Sequence, residues 1–307
     1  MARKKKLLFI YNPHAGKERI RSQLIDVIDV FAHAGYEVIA HPTRGPGDAK
    51  ETVLQCPEDV SLVVCCGGDG TLDETVNGML HVPELLPIGY IPAGSTNDFA
   101  VSLRIPARMV PAAKIAVRGN DYKCDVGVMN DALFVYSAAF GLFTKTSYRT
   151  GQRMKNLLGH AAYLLQGVTE FADIRSYRMR VRHDGEEIKG SFIFGMITNS
   201  VSIGGFREIT GKRVRLDDGL FEVTLVKMPK TPAELSSIVA AFVSRSLHSE
   251  LMVSFKTSRL VLESAEETAW TRDGEYGGTH RRMEIVNRKQ AVLFRVPPKR
   301  KTLHLGG

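Results

Sequence analysis

Leu62-Val63-Val64-Cys65-Cys66-Gly67-Gly68-Asp69-Gly70-Thr71 runs an apolar pentad straight into a doubled glycine, an acid and a third glycine. A short apolar run closed by glycine reads as a buried strand. Consecutive glycines let the backbone pass close to a ligand and aim N–H groups at it, and a helix starting there adds partial positive charge. Such a turn suits phosphate. A carboxylate at Asp69 would repel a bare phosphate, but it makes sense if Mg²⁺ lies between them. Taken alone, a plain glycine-rich turn remains the rival reading.

Working outward, residues 7–11 read as a first strand, and Ile20, Leu24, Ile28 and Phe31 recur at helical spacing until Gly35 stops them. Residues 36–40 form a second strand, and Asp48 caps a short helix ahead of Pro57. Beyond the glycine turn come a helix over 71–80, a strand over 88–91 and a helix over 97–103. Alternation of this kind implies a parallel sheet covered by helices on both faces, with ligands bound beyond the carboxyl ends of the strands. That edge collects three glycine-bearing loops: Asn12-Pro13-His14-Ala15-Gly16, residues 67–71, and Pro92-Ala93-Gly94-Ser95-Thr96-Asn97-Asp98. Singly, the first reads as a turn and the third as a helix N-cap. Three on one edge point to one ligand.

After about Asp121 the pattern changes. Residues 126–129, 133–139, 177–182, 191–198, 220–226, 251–255 and 260–262 read as strands, interrupted by helices over 161–172 and 233–245. Asp184-Gly185 and Asp218-Gly219 are turn signals. The expected organisation is an α/β domain over 1–125 with a parallel sheet, and a mainly antiparallel β-sandwich over 126–290. A strand over 291–296 can return to the first domain, and a basic tail follows it to 307.

The chain has 307 residues, 41 Lys and Arg against 33 Asp and Glu, and a formal charge of +8. With 44% apolar and 24% charged residues it belongs with ordinary globular chains, not disordered or fibrous ones. Four cysteines and nine scattered histidines make neither a disulfide framework nor a zinc pattern, which suits a reducing cytosol. No secretory signal is visible, and the longest apolar candidate, 132–143, falls short of the roughly 18 residues a span needs.

The basic residues Arg3-Lys4-Lys5-Lys6, Lys299-Arg300-Lys301 and the mid-chain Lys145, Arg149, Arg153 and Lys155 read either as solvated charge or as attraction to anionic lipid. No basic-aromatic ladder favours nucleic acid. There is no G-x-x-x-x-G-K-[ST], no kinase catalytic loop or D-F-G, and no G-x-G-x-x-G after the first strand.

In order and spacing, the three loops resemble those of the diacylglycerol kinase catalytic-domain family, specifically its soluble bacterial lipid kinases. The doubled-glycine acid loop alone is shared with NAD kinases and phosphofructokinases, so the first domain is expected to be similar to theirs. The trio is specific. The resemblance implies ATP contacted by Asn12 to Gly16, Thr43, the loop Gly67-Gly68-Asp69-Gly70-Thr71-Leu72-Asp73-Glu74, and Ser95. It implies an acidic network with bound Mg²⁺ near Asp69, Asp98 and Asp125, and a structural Mg²⁺ held by the Arg215 carbonyl, the Asp218 side chain and the Leu220 carbonyl.

Read without the family, Asp217-Asp218-Gly219 is a hairpin turn. Glu275, in Trp270-Thr271-Arg272-Asp273-Gly274-Glu275, is the implied proton acceptor, with Asp69 beside the metal. Asp184-Gly185-Glu186 is a similar tripeptide in a polar hairpin, so only its late position favours Glu275.

The implied activity is ATP-dependent phosphorylation of the free hydroxyl of diacylglycerol to phosphatidic acid, by a cytoplasmic protein resting on an anionic membrane surface. Residues 132–143 and 157–165 could line an acyl-chain cleft or simply pack a core. A homodimer is compatible with the resemblance. Rival readings are a kinase for another lipid alcohol (a sphingoid base, phosphatidylglycerol, undecaprenol), an NAD kinase, and a non-catalytic nucleotide- or lipid-sensing module.

Overall fold

The computed structural model describes residues 5–16, 18–142, 174–203, 206–207, 214–244 and 249–298. The mid-chain cluster Lys145, Arg149, Arg153 and Lys155, the helix expected over 161–172, the stretch 157–165, and Arg3, Lys4, Lys299, Arg300 and Lys301 lie outside the described residues.

In chain order the elements are β1 (Lys5–Tyr11), α1 (Arg19–His33), β2 (Tyr36–Pro42), α2 (Asp48–Leu54), β3 (Val60–Gly67), α3 (Asp69–Met79), β4 (Ile88–Pro92), α4 (Asp98–Ser102), α5 (Met109–Arg118), β5 (Asn120–Met129), β6 (Ala132–Phe134) and β7 (Ser137–Gly141). There follow β8 (Tyr177–His183), β9 (Glu186–Thr198), β10 (Ser202–Ile203), β11 (Phe206–Arg207), β12 (Phe221–Lys227), α6 (Pro232–Val243), β13 (Met252–Thr257), β14 (Arg259–Arg272) and β15 (Glu275–Val296). Two compact units result. The first takes Met1–Gly94, Leu103–Lys123 and Val292–Gly307, and the second takes Ser95–Ser102 and Cys124–Ala291.

In the first unit, β1 pairs in parallel with β2 and β3, and β3 with β4; Phe294 of β15 pairs in parallel with Ile88 of β4. Both faces are covered, so β1 and β3 read as apolar runs without alternation, and Leu7, Phe9, Ile10 and residues 62–66 are fully buried. From α1, Ile20, Val27 and Phe31 are fully buried, and the Phe31 ring meets Phe9 edge-on at 5.2 Å. Asp48 does not cap α2. Gly47 holds that position, and the Asp48 carboxylate turns back to accept from the Arg44 N–H at 2.7 Å. That bond, with His41 at 3.0 Å, holds the Asp48 carboxyl at about 2, below the usual range.

In the second unit the strand order is β13-β12-β9-β7-β14-β15, and these neighbours pair antiparallel. β8 pairs with both β9 and β14. Trp270, Phe140, Phe192, Phe221, Val181, Leu262 and Ile285 join in one apolar core. A smaller core seats α6 against β9 and β12 through Ile238, Leu235, Phe194 and Val226. α6 starts where its sequence dictates: Thr231 accepts from the Glu234 N–H at 3.2 Å, and Pro232 occupies the first turn.

The strand expected over 133–139 is broken into β6 and β7. At the break, the N–H groups of Val135, Tyr136 and Ser137 turn to the Asp273 carboxylate. Of the stretch 132–143, Phe134, Ala138 and Phe140 are fully buried in the core. Among the described residues, no helix is long and apolar enough to cross a membrane.

Candidate phosphate-binding loops and acidic centres

The three loops of the first unit meet through backbone. The Asn12 N–H donates to the Cys66 carbonyl at 2.9 Å, extending the β1–β3 pairing beyond the strand end. The Ala93 N–H donates to the Gly67 carbonyl at 2.8 Å, and the Tyr90 hydroxyl donates to the same oxygen at 3.3 Å. A Cβ placed on Gly68 would stand 3.4 Å from the Gly94 Cα, so two loops touch where neither carries a side chain. The Thr43 N–H donates to the Tyr11 carbonyl at 2.9 Å, placing Thr43 on the same edge.

Each loop has its own local logic. The Asn12 side chain accepts from the His14 N–H at 2.9 Å, and the Asn12 carbonyl accepts from Ala15 at 3.2 Å, closing a turn over Pro13 that ends at Gly16 with φ of 54°. His14 is exposed. In the second loop, Thr71 packs across Gly67, where an added Cβ would come within 2.6 Å of its side chain. Gly68 is the N-cap of α3 and supplies no side-chain cap bond, and a helix N-terminus of this kind is a position where backbone N–H groups can meet an anion. Gly70 is exposed.

The fully buried Leu72 can offer only backbone there. Asp69 and Asp73 stand four residues apart on α3, a spacing that places them on one face. Glu74 points elsewhere, accepting from the N–H groups of Gly47 at 2.7 Å and Ala49 at 3.2 Å at the start of α2. Its visible task is to hold the two helices together.

The loop 92–98 is divided between the units, with Ser95 onward in the second. Ser95 is exposed. Asp98 is buried and accepts from the Ser202 hydroxyl at 2.7 Å, while the Ser102 and Ser200 hydroxyls lie 2.8 Å apart. This hydroxyl network explains why 95–102 joins the second unit. Asp69, Asp98 and Asp125 thus do not fall in one unit.

Asp125 is fully buried and clamps a turn. Its oxygens accept from the N–H groups of Gly219 at 2.6 Å and Gln290 at 2.7 Å, and its own N–H donates to the Leu216 carbonyl at 2.7 Å. Burial raises its pKa, and the nearby Asp218 adds to the rise. Asp218 accepts from the Leu220 N–H at 3.0 Å, and Arg215 pairs with Asp217 at 3.3 Å.

Two further residues that the sequence did not mark complete this centre. Glu222 is pushed up to about 7 by burial, against the pull of Lys256, whose Nζ lies 2.8 Å from it and 4.0 Å from Asp218. Among the described residues, no three His, Cys, Asp or Glu side chains gather to hold a metal by themselves. The 215–220 turn nevertheless carries the oxygens a hard cation takes, the Asp218 carboxylate and backbone carbonyls, beside the buried Asp125.

Glu275 opens β15 beside a two-residue turn, in which Asp273 and Gly274 have φ of 47° and 84°. Asp184 and Gly185 repeat that turn with 45° and 82°. What separates them is the surroundings. Asp184 is exposed, whereas Asp273 is buried and accepts from Val135 at 2.6 Å, Tyr136 at 3.0 Å and Ser137 at 2.8 Å. The Tyr136 hydroxyl also donates to the Asp273 carbonyl at 3.1 Å. Glu275 is therefore an exposed carboxylate on a fixed turn. Sequence reasoning named Asp273 only as part of a tripeptide and missed its anchoring; nothing local to that tripeptide announces it.

Residues 6–129 match the model of the diacylglycerol kinase catalytic domain, and residues 139–293 match that of the YegS C-terminal NAD kinase beta sandwich-like domain. A diacylglycerol kinase of Staphylococcus carnosus is 32% identical over 297 residues, 96% of each chain. One of Bacillus subtilis is 31% identical over 279 residues, 89% of this chain and 91% of that one. A crystal structure named as a diacylglycerol kinase from Bacillus anthracis superposes with a TM-score of 0.74 at 21% identity, over 97% of this chain and 99% of that one.

Proposed function

The chain belongs to the diacylglycerol kinase catalytic-domain family, and on that premise we propose that it transfers the γ-phosphate of ATP to the free hydroxyl of diacylglycerol, giving phosphatidic acid. The supporting observation is the backbone convergence of residues 12–16, 67–71 and 92–94 at one sheet edge. Phosphate binding there needs no cationic side chain, because the glycine turns and the first turn of α3 offer N–H groups to it.

In the transfer the lipid hydroxyl oxygen bonds to the γ-phosphorus, the bond to the bridging oxygen breaks, and ADP leaves. The hydroxyl proton goes to Glu275. An alcohol ionises far above neutrality, so a positioned carboxylate must take that proton. Asp273 fixes the turn that carries Glu275. Asp69 would hold the catalytic Mg²⁺, and Arg215, Asp218 and Leu220 the structural one. When bound, the metal would offset the charge spread over the transferring group. As a lipid kinase the protein meets its substrate at a membrane surface.

The test is incubation of the purified protein with labelled ATP and a panel of lipid alcohols: diacylglycerol, a sphingoid base, phosphatidylglycerol and undecaprenol. Labelled phosphatidic acid is the expected product. Label in another lipid alone would reassign the substrate, and no label in any would refute the kinase reading.

A further inference from the structure

A groove of about 670 Å³ opens on the outer face of the second unit, lined by Arg178, Arg180, Lys189, Ser191, Glu263 and Ser264 among others. β8 alternates strictly there. Tyr177, Met179 and Val181 enter the core, while Arg178, Arg180 and Arg182 point out and are exposed. Arg180 stands directly across from Lys189, and Arg178 across from Ser191. Like charges opposed on neighbouring strands repel, and here Glu187 lies against both while Glu263 stands across from Arg180 on β14.

The local acids do not neutralise these cations. Glu187 serves both Lys189 at 2.6 Å and Arg180 at 3.6 Å, and Glu263 serves Arg182 at 2.6 Å and Arg282 at 3.7 Å. Arg178 has no ion pair among the described residues. The groove is therefore a concave surface with surplus positive charge and Ser191 on the same face as Arg178, complementary to phosphate.

We infer that this groove seats the phosphate headgroups of an anionic bilayer, with Arg178, Arg180 and Lys189 as the donors, and so docks the second unit on the membrane that holds the substrate. The inference rests on the lipid-kinase reading and places the contact on residues other than the terminal and mid-chain basic runs. A basic side chain near an anionic surface contributes about 1 kcal/mol, so removing two corresponds to roughly 30-fold in affinity.

The experiment is co-sedimentation of the full chain with phosphatidylcholine vesicles, with and without phosphatidylglycerol. Arg178→Gln/Lys189→Gln should bind the anionic vesicles about 30-fold more weakly than the parent. Arg178→Lys should bind nearly as well as the parent, and Lys114→Gln/Arg118→Gln, with the same change in net charge on α5, should lose much less. Equal losses from both double variants would overturn the inference, because bulk charge would then suffice. An altered mass by light scattering with unaltered vesicle binding would make the face an interface between copies and also overturn it. So would saturable binding of inorganic phosphate lost in the groove variant while vesicle binding persists.

Turnover of a short-chain, water-soluble diacylglycerol needs no bilayer and should be equal in parent and groove variant. Its absence in both would defeat the kinase reading, while the vesicle comparison would still decide the groove.

Discussion

Replacing Asp273 by alanine tests whether one buried carboxylate fixes the turn that carries Glu275. In the native protein its two oxygens take three N–H groups at 2.6, 3.0 and 2.8 Å, and the residue is only 8% exposed. Each buried donor left unsatisfied costs about 1–3 kcal/mol. Water entering the vacated space would re-satisfy part of that, which places the loss at about 3–4 kcal/mol, a large share of a typical stability of roughly 5–15 kcal/mol. Asp273→Asn keeps one acceptor oxygen and should lose about half as much.

The protein supplies its own reference. Asp184 occupies the same turn with φ of 45° against 47°, so Asp184→Ala carries the same backbone penalty without the buried bonds. Urea unfolding of the two alanine variants at pH 7 should differ by about 2–3 kcal/mol at unchanged m-value. Under a fixed turn, Asp273→Asn should also lower kcat while leaving the KM for ATP in place. A difference below about 1 kcal/mol between the alanine variants would refute the anchoring argument.

Glu275→Gln should lower turnover about 10²–10⁴-fold and still bind ATP, which single-turnover assay and nucleotide titration would separate; near-normal turnover would remove Glu275 from the chemistry. Gly67→Ala drives a Cβ to within 2.6 Å of Thr71 and should cost about 1–3 kcal/mol. Gly68→Ala makes only ordinary contact with Gly94, so it should unfold near the parent midpoint while raising the KM for ATP.

Asp48 has a folded pKa of about 2 against 3.8, so its contribution is complete above pH 3.8 and disappears as pH falls toward 2. The stability gap between the parent and Asp48→Asn should therefore close across that window in acid unfolding; a constant gap would contradict it. Millimolar Mg²⁺ should raise the melting temperature of the parent and not of Asp218→Asn, by a mass-action effect of about 2.7 kcal/mol at a hundredfold excess over Kd. An equal rise in both would move the cation elsewhere.

What was legible in the sequence followed from periodicity and glycine. β1, β3 and β4 contain the apolar stretches 7–11, 62–66 and 88–91, and the three loops after them are glycine-bearing, so their common edge could be inferred. α5 was missed because its buried face is mostly alanine, at 112, 113 and 116, which gives little contrast. β14 and β15 were expected only as 260–262 and 291–296. Register shifts between Glu263 and Thr268 and between Ala269 and Thr271, with polar residues on both faces, erase the alternation in between. The single strand drawn over 133–139 failed because a residue 138 positions later captures its amides. The same long-range capture hid the clamp at Asp125, whose partners Gly219 and Gln290 lie 94 and 165 positions away.

β15 belongs to both units, since residues 292–296 complete the first and the remainder lies in the second. During synthesis, Ile88 on β4 waits for Phe294, more than two hundred positions downstream, before that edge gains its neighbour. The first unit is thus assembled from both flanks of an inserted β module, and neither unit is a contiguous cassette. A fragment ending at 125 would expose a row of unsatisfied strand amides and carbonyls along β4, a template for self-association. Shuffling these halves among relatives would succeed only with crossovers that carry the returning segment along with its parent.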